Sequence, residues 1–145
     1  MALDNFRVAG TLSGNSPETV QLPEAASQSF KRGQCVYLVA GAVTVALTTG
    51  VVFGVAAEDA SGTTGNLVRV WVLNSDTKFH CTSNAAVAQA FVGDNADFVI
   101  VSTNHQVDPD GTTNNVFVIV DNPGGVASTD CIVIGGPAAQ RVTGT

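Results

Sequence analysis

The residues most able to perform chemistry in this chain are its two histidines and three cysteines. A cysteine thiol beside a histidine could act as a nucleophile whose proton the imidazole removes. His80 and Cys81 are adjacent, but they lie in a predicted strand, where neighbouring side chains point to opposite faces. His105 has no cysteine near it in the sequence. We therefore expect both histidines to make structural hydrogen bonds and predict no catalytic residue.

The three cysteines are odd in number and widely spaced, at Cys35, Cys81 and Cys131. A disulfide framework favours an even count, and a zinc site favours closely spaced pairs such as CxxC. Each cysteine is flanked by β-branched or aromatic residues, where a free thiol packs as a small hydrophobic group. We predict buried thiols in preference to a disulfide bridge, and no metal site.

The acidic segments also lack a recognisable site. The segment "DPDGTTNN" (108–115) resembles a calcium loop only superficially, because Gly111 directly follows Asp110 and no glutamate closes the loop. A hairpin turn explains the same residues. Glu58 and Asp59 are adjacent at a strand end, where we expect them to protect a sheet edge. Phosphate-binding, dinucleotide-binding and GxSxG motifs are absent from the sequence, so we predict no enzyme, no cofactor and no small-molecule substrate.

Charge is scarce and negative. The chain has 145 residues, which fits one domain, and its formal net charge is −6. The six Lys and Arg residues are scattered along the sequence, which argues against binding to nucleic acid or to an anionic membrane. Charged residues make up 12% of the chain, about half of the usual 25% or so. So few charges suggest that part of the surface is covered by sister copies or by a large partner.

A segment without any charge extends from Cys35 to Ala57 and is long enough to span a bilayer. Its three glycines disfavour the interior of a helix. Its large and small residues alternate with a period of two, as in Val43–Leu47. We therefore predict three short strands joined by glycine turns, one of them "TTG" at 48–50, in preference to a membrane helix. The amino terminus has neither a basic start nor an apolar stretch, so we expect no secretory signal.

The rest of the chain has the same pattern of short apolar runs and turn-forming segments. The predicted further strands are 19–22, 66–73, 77–82, 87–92, 97–102, 116–120 and 131–135. Only 85–91 could form a short helix. This spacing predicts a single all-β domain over 17–145, a compact sandwich or barrel. Runs such as "VFVIV" are apolar on both faces, so we expect another chain or layer to cover the second face.

The first sixteen residues differ from this pattern. They are small and polar, with isolated apolar residues at Leu3, Phe6, Val8 and Leu12. We interpret 1–16 as an extended N-terminal arm whose apolar residues dock one by one; a frayed terminus is the alternative.

A resemblance to a known family covers residues 19–73, which are 55 of the 145. In order, this region contains "KRGQCVYL", "GVVFGVAAEDASG" and "GNLVRVWV". It resembles the small capsid decoration, or cement, proteins of tailed bacteriophages, in which similar strands recur in one β-fold. The matching positions are Gly33, Val36, Gly50, Gly54, Val55, Ala56, Gly65, Val68 and Val70.

The resemblance implies a β-sandwich or β-tulip-like barrel that forms a homotrimer. Such proteins are made in the bacterial cytoplasm and sit on the outer surface of the virion, at three-fold or quasi-three-fold positions of an expanded icosahedral head. There they bind the major capsid protein and stabilise its lattice, often through an N-terminal arm. The implied partners include no nucleic acid and no membrane. The candidate capsid-binding residues are Leu3, Phe6, Arg7, Val8, Leu12, Lys31 and Arg32.

The alternative function is a head-fibre or tail-associated module that recognises a host glycan or receptor. It would require an exposed aromatic platform, for which only Trp71 and Tyr37 are available, and both lie in the middle of predicted strands. Trp71 could also be a core residue or an interface anchor.

Overall fold

The protein is an all-β sandwich of two antiparallel sheets, as predicted. The computed structural model describes residues 5–46, 51–102, 104–111, 113, 115–125 and 128–140. In chain order, the strands are β1 (Arg7–Thr11), β2 (Thr19–Pro23), β3 (Cys35–Val39), β4 (Ala42–Val45), β5 (Gly54–Ala56), β6 (Leu67–Val72), β7 (Thr77–Thr82), β8 (Asn95–Val101), β9 (Asn104–Asp108), β10 (Phe117–Asp121) and β11 (Asp130–Gly135). One sheet has the order β2-β6-β5-β3-β4, and the other β1-β7-β11-β10-β8-β9.

The five-stranded sheet is rolled so that its two outer strands meet. A parallel bridge joins Glu24, just after β2, to Val43 of β4. The Ala25 N–H also donates to the Val43 carbonyl over 3.0 Å. Every second residue points into this roll. The inner cluster that results consists of Phe30, Val36, Val43, Phe53, Ala56, Val68 and Val70, each at most 2% exposed.

The other face of the five-stranded sheet packs on the six-stranded sheet to form the main core. Cys35, Val55 and Leu73 lie on one side, and Phe79 and Phe117 are among the residues opposite. The six-stranded sheet also bends on itself, because Ser83 beyond β7 forms a parallel bridge to Val107 of β9. Both sheets are therefore curved around apolar interiors.

For the five-stranded sheet, this curvature corrects the expectation that a second apolar face needs another chain, because the roll of that sheet covers its own second face within the described residues. The expectation named "VFVIV", which is in the six-stranded sheet, and there the outward residues Val118, Ile132 and Ile134 are only partly buried, so for that face it stays a prediction. Gln140 also binds the backbone of β3: its side chain accepts from the Leu38 N–H over 2.7 Å and donates to the Leu38 carbonyl over 3.1 Å. The large apolar side chains that stay exposed are few and lie in edge strands, strand ends or loops: Leu12, Val39, Val51, Leu67 and Val101.

The uncharged segment 35–57 contains three strands, β3, β4 and β5, as predicted. The predicted turn at 48–50 lies outside the described residues. Among the residues that the structure describes, no helix is long and apolar enough to cross a membrane.

Two details of the predicted strand pattern were wrong. Residues 87–92 form no strand but contain a single 3-10 turn, Gln89–Phe91, which fits the short helix allowed at 85–91. The segment 104–108 is a strand, β9, that the sequence did not suggest. The residues after it do turn, but β9 and β10 both pair with β8, so 108–115 is not the loop of a hairpin.

The predicted arm 1–16 is partly built into the sandwich. Arg7–Thr11 is the edge strand β1, which pairs antiparallel with β7. Phe6 is 2% exposed and stacks on Phe117, with ring centroids 5.4 Å apart. Apolar burial and strand pairing therefore fix residues 6–11 to the domain.

Candidate functional site

The structure separates the seven predicted capsid-binding residues into three groups. Leu3 lies outside the described residues. Phe6 is buried and Val8 packs against the main core, so neither presents its full side chain to a partner. The exposed residues are Arg7, Leu12, Lys31 and Arg32.

Two distant segments meet where three of these exposed residues lie. The Phe6 N–H donates to the Gly33 carbonyl over 2.8 Å, and the Gly33 N–H donates to the Ala56 carbonyl over 2.9 Å. Gly33 has a φ of 94°, and a Cβ there would lie 2.9 Å from the Phe6 carbonyl oxygen, so only glycine fits. This contact places the segment of Arg7 against the segment of Lys31 and Arg32. We call Arg7, Lys31 and Arg32 the basic junction.

Arg32 is held in place from two sides. Its guanidinium carbon lies 5.4 Å from the centre of the Trp71 ring, a cation–π arrangement. Its backbone N–H donates to Asp59 Oδ1 over 2.8 Å. The Lys31 ammonium is 3.8 Å from Asp59 Oδ2, but both side chains are more than half exposed, so this ion pair stabilises little.

Glu58 and Asp59 have a local structural role that the sequence did not suggest. The Glu58 carboxylate accepts from the Arg69 N–H over 2.8 Å, and Asp59 accepts from Arg32. Both carboxylates thus fix backbone next to Trp71 and the basic junction.

The Arg7 side chain is hydrogen-bonded to His80. The guanidinium Nη2 is 3.1 Å from His80 Nδ1, so a neutral ring accepts there and carries its proton on Nε2. That Nε2 is buried without a hydrogen-bond partner and lies 3.9 Å from Asp130 Oδ1. His80 therefore supports Arg7, and it faces away from the buried Cys81, as predicted from strand alternation.

Leu12 is exposed in a turn that follows the other end of β1 and is hydrogen-bonded to Asp76. It is 57% exposed, while its N–H donates to the Asp76 carbonyl over 2.8 Å. The Asp76 carboxylate accepts from the Ser13 N–H over 2.8 Å and from the Ser13 hydroxyl over 2.9 Å. At about 3.3 Å per residue, Leu12 is roughly 16 Å from Arg7 along the strand.

His105 contacts Cys35 through the cysteine backbone and not through its thiol. His105 Nδ1 accepts from the Cys35 backbone N–H over 2.8 Å, and its ring packs edge-on against Phe98. Burial lowers the pKa of His105 to about 4, so the imidazole is neutral at pH 7. Burial also raises the pKa of the Cys35 thiol well above its usual value. The hydrogen bond between His105 and the Cys35 backbone stabilises the fold, and the Cys35 thiol stays protonated at pH 7.

All three cysteines are free and buried, which confirms the prediction of buried thiols. Cys81 and Cys131 are directly opposite each other on β7 and β11. The Cys81 thiol lies 3.6 Å from the Cys131 carbonyl oxygen, and burial raises its pKa well above the usual value.

The acidic loop after β9 is held by the carboxylate of Asp97 in β8. The Asp97 carboxylate accepts from the N–H groups of Thr113, over 2.9 Å, and Asn115, over 2.8 Å. Burial and the neighbouring Asp110 raise the pKa of Asp108. In the described part of the chain, no cluster of three or more histidine, cysteine or acidic side chains could hold a metal ion.

The two aromatic residues considered for glycan binding are not a platform. Trp71 and Tyr37 are both partly buried and packed against the main core, and Arg32 lies over the Trp71 ring.

Comparison with protein-family models, with curated proteins and with solved structures finds no match to this chain. Six of the nine positions behind the phage resemblance have a structural explanation within the fold. Gly33 and Gly54 have no room for a side chain, and the valines of that pattern are fully or almost fully buried: Val36, Val55, Val68 and Val70.

Proposed function

We propose that this chain is a structural virion protein that binds the outside of an icosahedral phage head as a homotrimer and stabilises the major capsid protein lattice. The family resemblance over 19–73 suggests this function. The basic junction is the observation that carries it, because three exposed cations lie on two segments that are hydrogen-bonded to each other.

The charge distribution supports such a surface. Three of the six Lys and Arg residues belong to the basic junction, although the chain as a whole carries a net charge of −6. Arg32 is held over Trp71 and Arg7 against His80, so little side-chain freedom is lost when a partner binds. Arg and Trp are the residue types that most often dominate binding energy at interfaces.

A decoration protein needs many weak contacts and no reaction, and this suits the described surface. The three thiols are buried and so are closed to a substrate. In a trimer, three copies of the basic junction would act together, so a modest energy per site would add up.

We expect Arg32→Gln to weaken binding to expanded heads of the encoding phage by at least tenfold. Each site would lose about 0.5–1 kcal/mol, and three sites per trimer multiply that loss. Binding is measured by co-sedimentation of purified protein with expanded and unexpanded heads, with analytical ultracentrifugation to establish the trimer.

The matched control is Lys78→Gln, which removes the same charge from β7 but leaves the Trp71 contact intact. We expect it to change binding less than Arg32→Gln does. If both variants weaken binding equally, general electrostatics and not the basic junction governs the contact. A monomer that binds neither form of the head would refute the proposed function.

A further inference from the structure

A cleft of about 400 Å³ lies between the mouth of the rolled sheet and the β8–β9 hairpin. Phe30 and Val45 form its wall on the side of the five-stranded sheet, and Ile100 forms its wall on the hairpin side. Its polar lining includes Lys31, Ser102 and His105. The volume is enough for a small organic molecule and is at the low end for ligand sites.

His105 supplies a hydrogen-bond donor to this cleft. The residue is 3% exposed, and its Nδ1 is occupied by the Cys35 N–H. The neutral ring then carries its proton on Nε2, and that N–H has no hydrogen-bond partner among the described residues. This N–H is therefore available to an acceptor on a ligand in the cleft.

The local charge of the cleft favours an anion. Its described lining contains one cation, Lys31, and no Asp or Glu, in a chain that has twelve acidic residues and six basic ones. The Lys31 ammonium is only loosely paired with Asp59, at 3.8 Å and largely exposed, so it is available to a ligand.

We propose that the cleft binds a short aliphatic carboxylate. The carboxylate lies between the Lys31 ammonium and the His105 Nε2–H, and the aliphatic chain lies against Phe30, Val45 and Ile100. The cleft shares Lys31 with the basic junction, but carboxylate binding is measured on the free protein and does not depend on the proposed binding to a phage head.

Titration of the ¹⁵N-labelled protein with butyrate at pH 7 tests the site. We expect saturable shifts of the amide signals of Lys31, Val45 and Ile100, with half-saturation on the order of 1 mM for so small a ligand. n-Butanol, which has the chain without the charge, and inorganic phosphate, which has the charge without the chain, should each bind more weakly.

Lys31→Met should weaken butyrate binding about 2- to 5-fold, in line with an exposed charge pair. Lys78→Met, which removes the same charge from β7 outside the cleft, should leave it unchanged. The proposal is overturned if butyrate causes no saturable shift, if its shifts lie away from the cleft, if n-butanol or phosphate binds as tightly, or if the two variants behave alike.

Discussion

Replacing Gly54 with alanine is expected to destabilise the protein by about 3 kcal/mol. A Cβ at this position would lie 2.2 Å from the Trp71 carbonyl oxygen and 2.8 Å from Val70 Cγ1. Gly54 belongs to the short strand β5, which is hydrogen-bonded on both sides, to β3 and to β6. The backbone therefore has little freedom to move away, and the roll of the five-stranded sheet must distort. The free energy of unfolding, measured by denaturant titration, gives the size of the effect.

Gly41→Ala is the matched control. Gly41 has a φ of 80° and nothing within 4 Å of an added Cβ, so alanine there has only backbone strain, about 1–2 kcal/mol. Equal losses for the two variants would mean that close packing of β5 against β6 does not limit the fold.

Replacing Glu24 with glutamine is expected to cost about 2–3 kcal/mol at pH 7, because it removes the charge from a buried, hydrogen-bonded carboxylate. Glu24 is 2% exposed. Its Oε2 accepts from the Ser61 N–H over 2.9 Å and from the Ser61 hydroxyl over 2.8 Å, and its Oε1 accepts from the Gly62 N–H over 3.1 Å. These bonds fix the 58–66 loop beside the point where the rolled sheet closes.

The effect of Glu24→Gln should depend on pH. Burial raises the pKa of Glu24, but the hydrogen bonds from Ser61 and Gly62 lower it by more, so the folded pKa is below the usual value. A lowered pKa stabilises the folded state at pH values above the unfolded pKa of about 4.3, and this stabilisation is lost as the pH falls through the folded pKa.

The difference in free energy of unfolding between wild type and Glu24→Gln should therefore be largest at pH 7. It should decrease as the pH falls below the unfolded pKa. Glu58→Gln is the control, since Glu58 is exposed and, among the residues that the structure describes, accepts one backbone hydrogen bond, from Arg69. A difference in free energy of unfolding that stays constant across this pH range would contradict the role given to the Glu24 carboxylate.

The alternation of residues predicted most of the strands because it reports directly which side chains share a face. It gave β4 and β6 because their valines recur at every second position. It missed β9, where Asn104, Gln106 and Asp108 mask the buried His105 and Val107. It also could not say what covers a second apolar face. A rolled sheet and a partner chain leave the same pattern, and only the contact between Glu24 and Val43 distinguishes them.

The candidate site was harder to predict, because it depends on contacts between segments distant in the sequence. Arg7, Lys31 and Arg32 were identified individually, but their proximity follows from the bond between Phe6 and Gly33. Phe6 was predicted to dock on a partner, although an isolated aromatic residue beside a strand packs equally well in its own core. Glu24 was overlooked because a single glutamate after a proline carries no pattern.

The central claim is that the rolled five-stranded sheet is sealed by its own chain and needs no sister copy to cover it. Hydrogen exchange of β3 and β6 tests this most directly, at a low protein concentration where only monomer sediments and at a higher one where the proposed trimer forms. We expect the same strong protection of Val36 and Val70 at both concentrations. Rapid exchange of these amides in the monomer would show that sister copies are needed to cover the sheet, which would contradict the account.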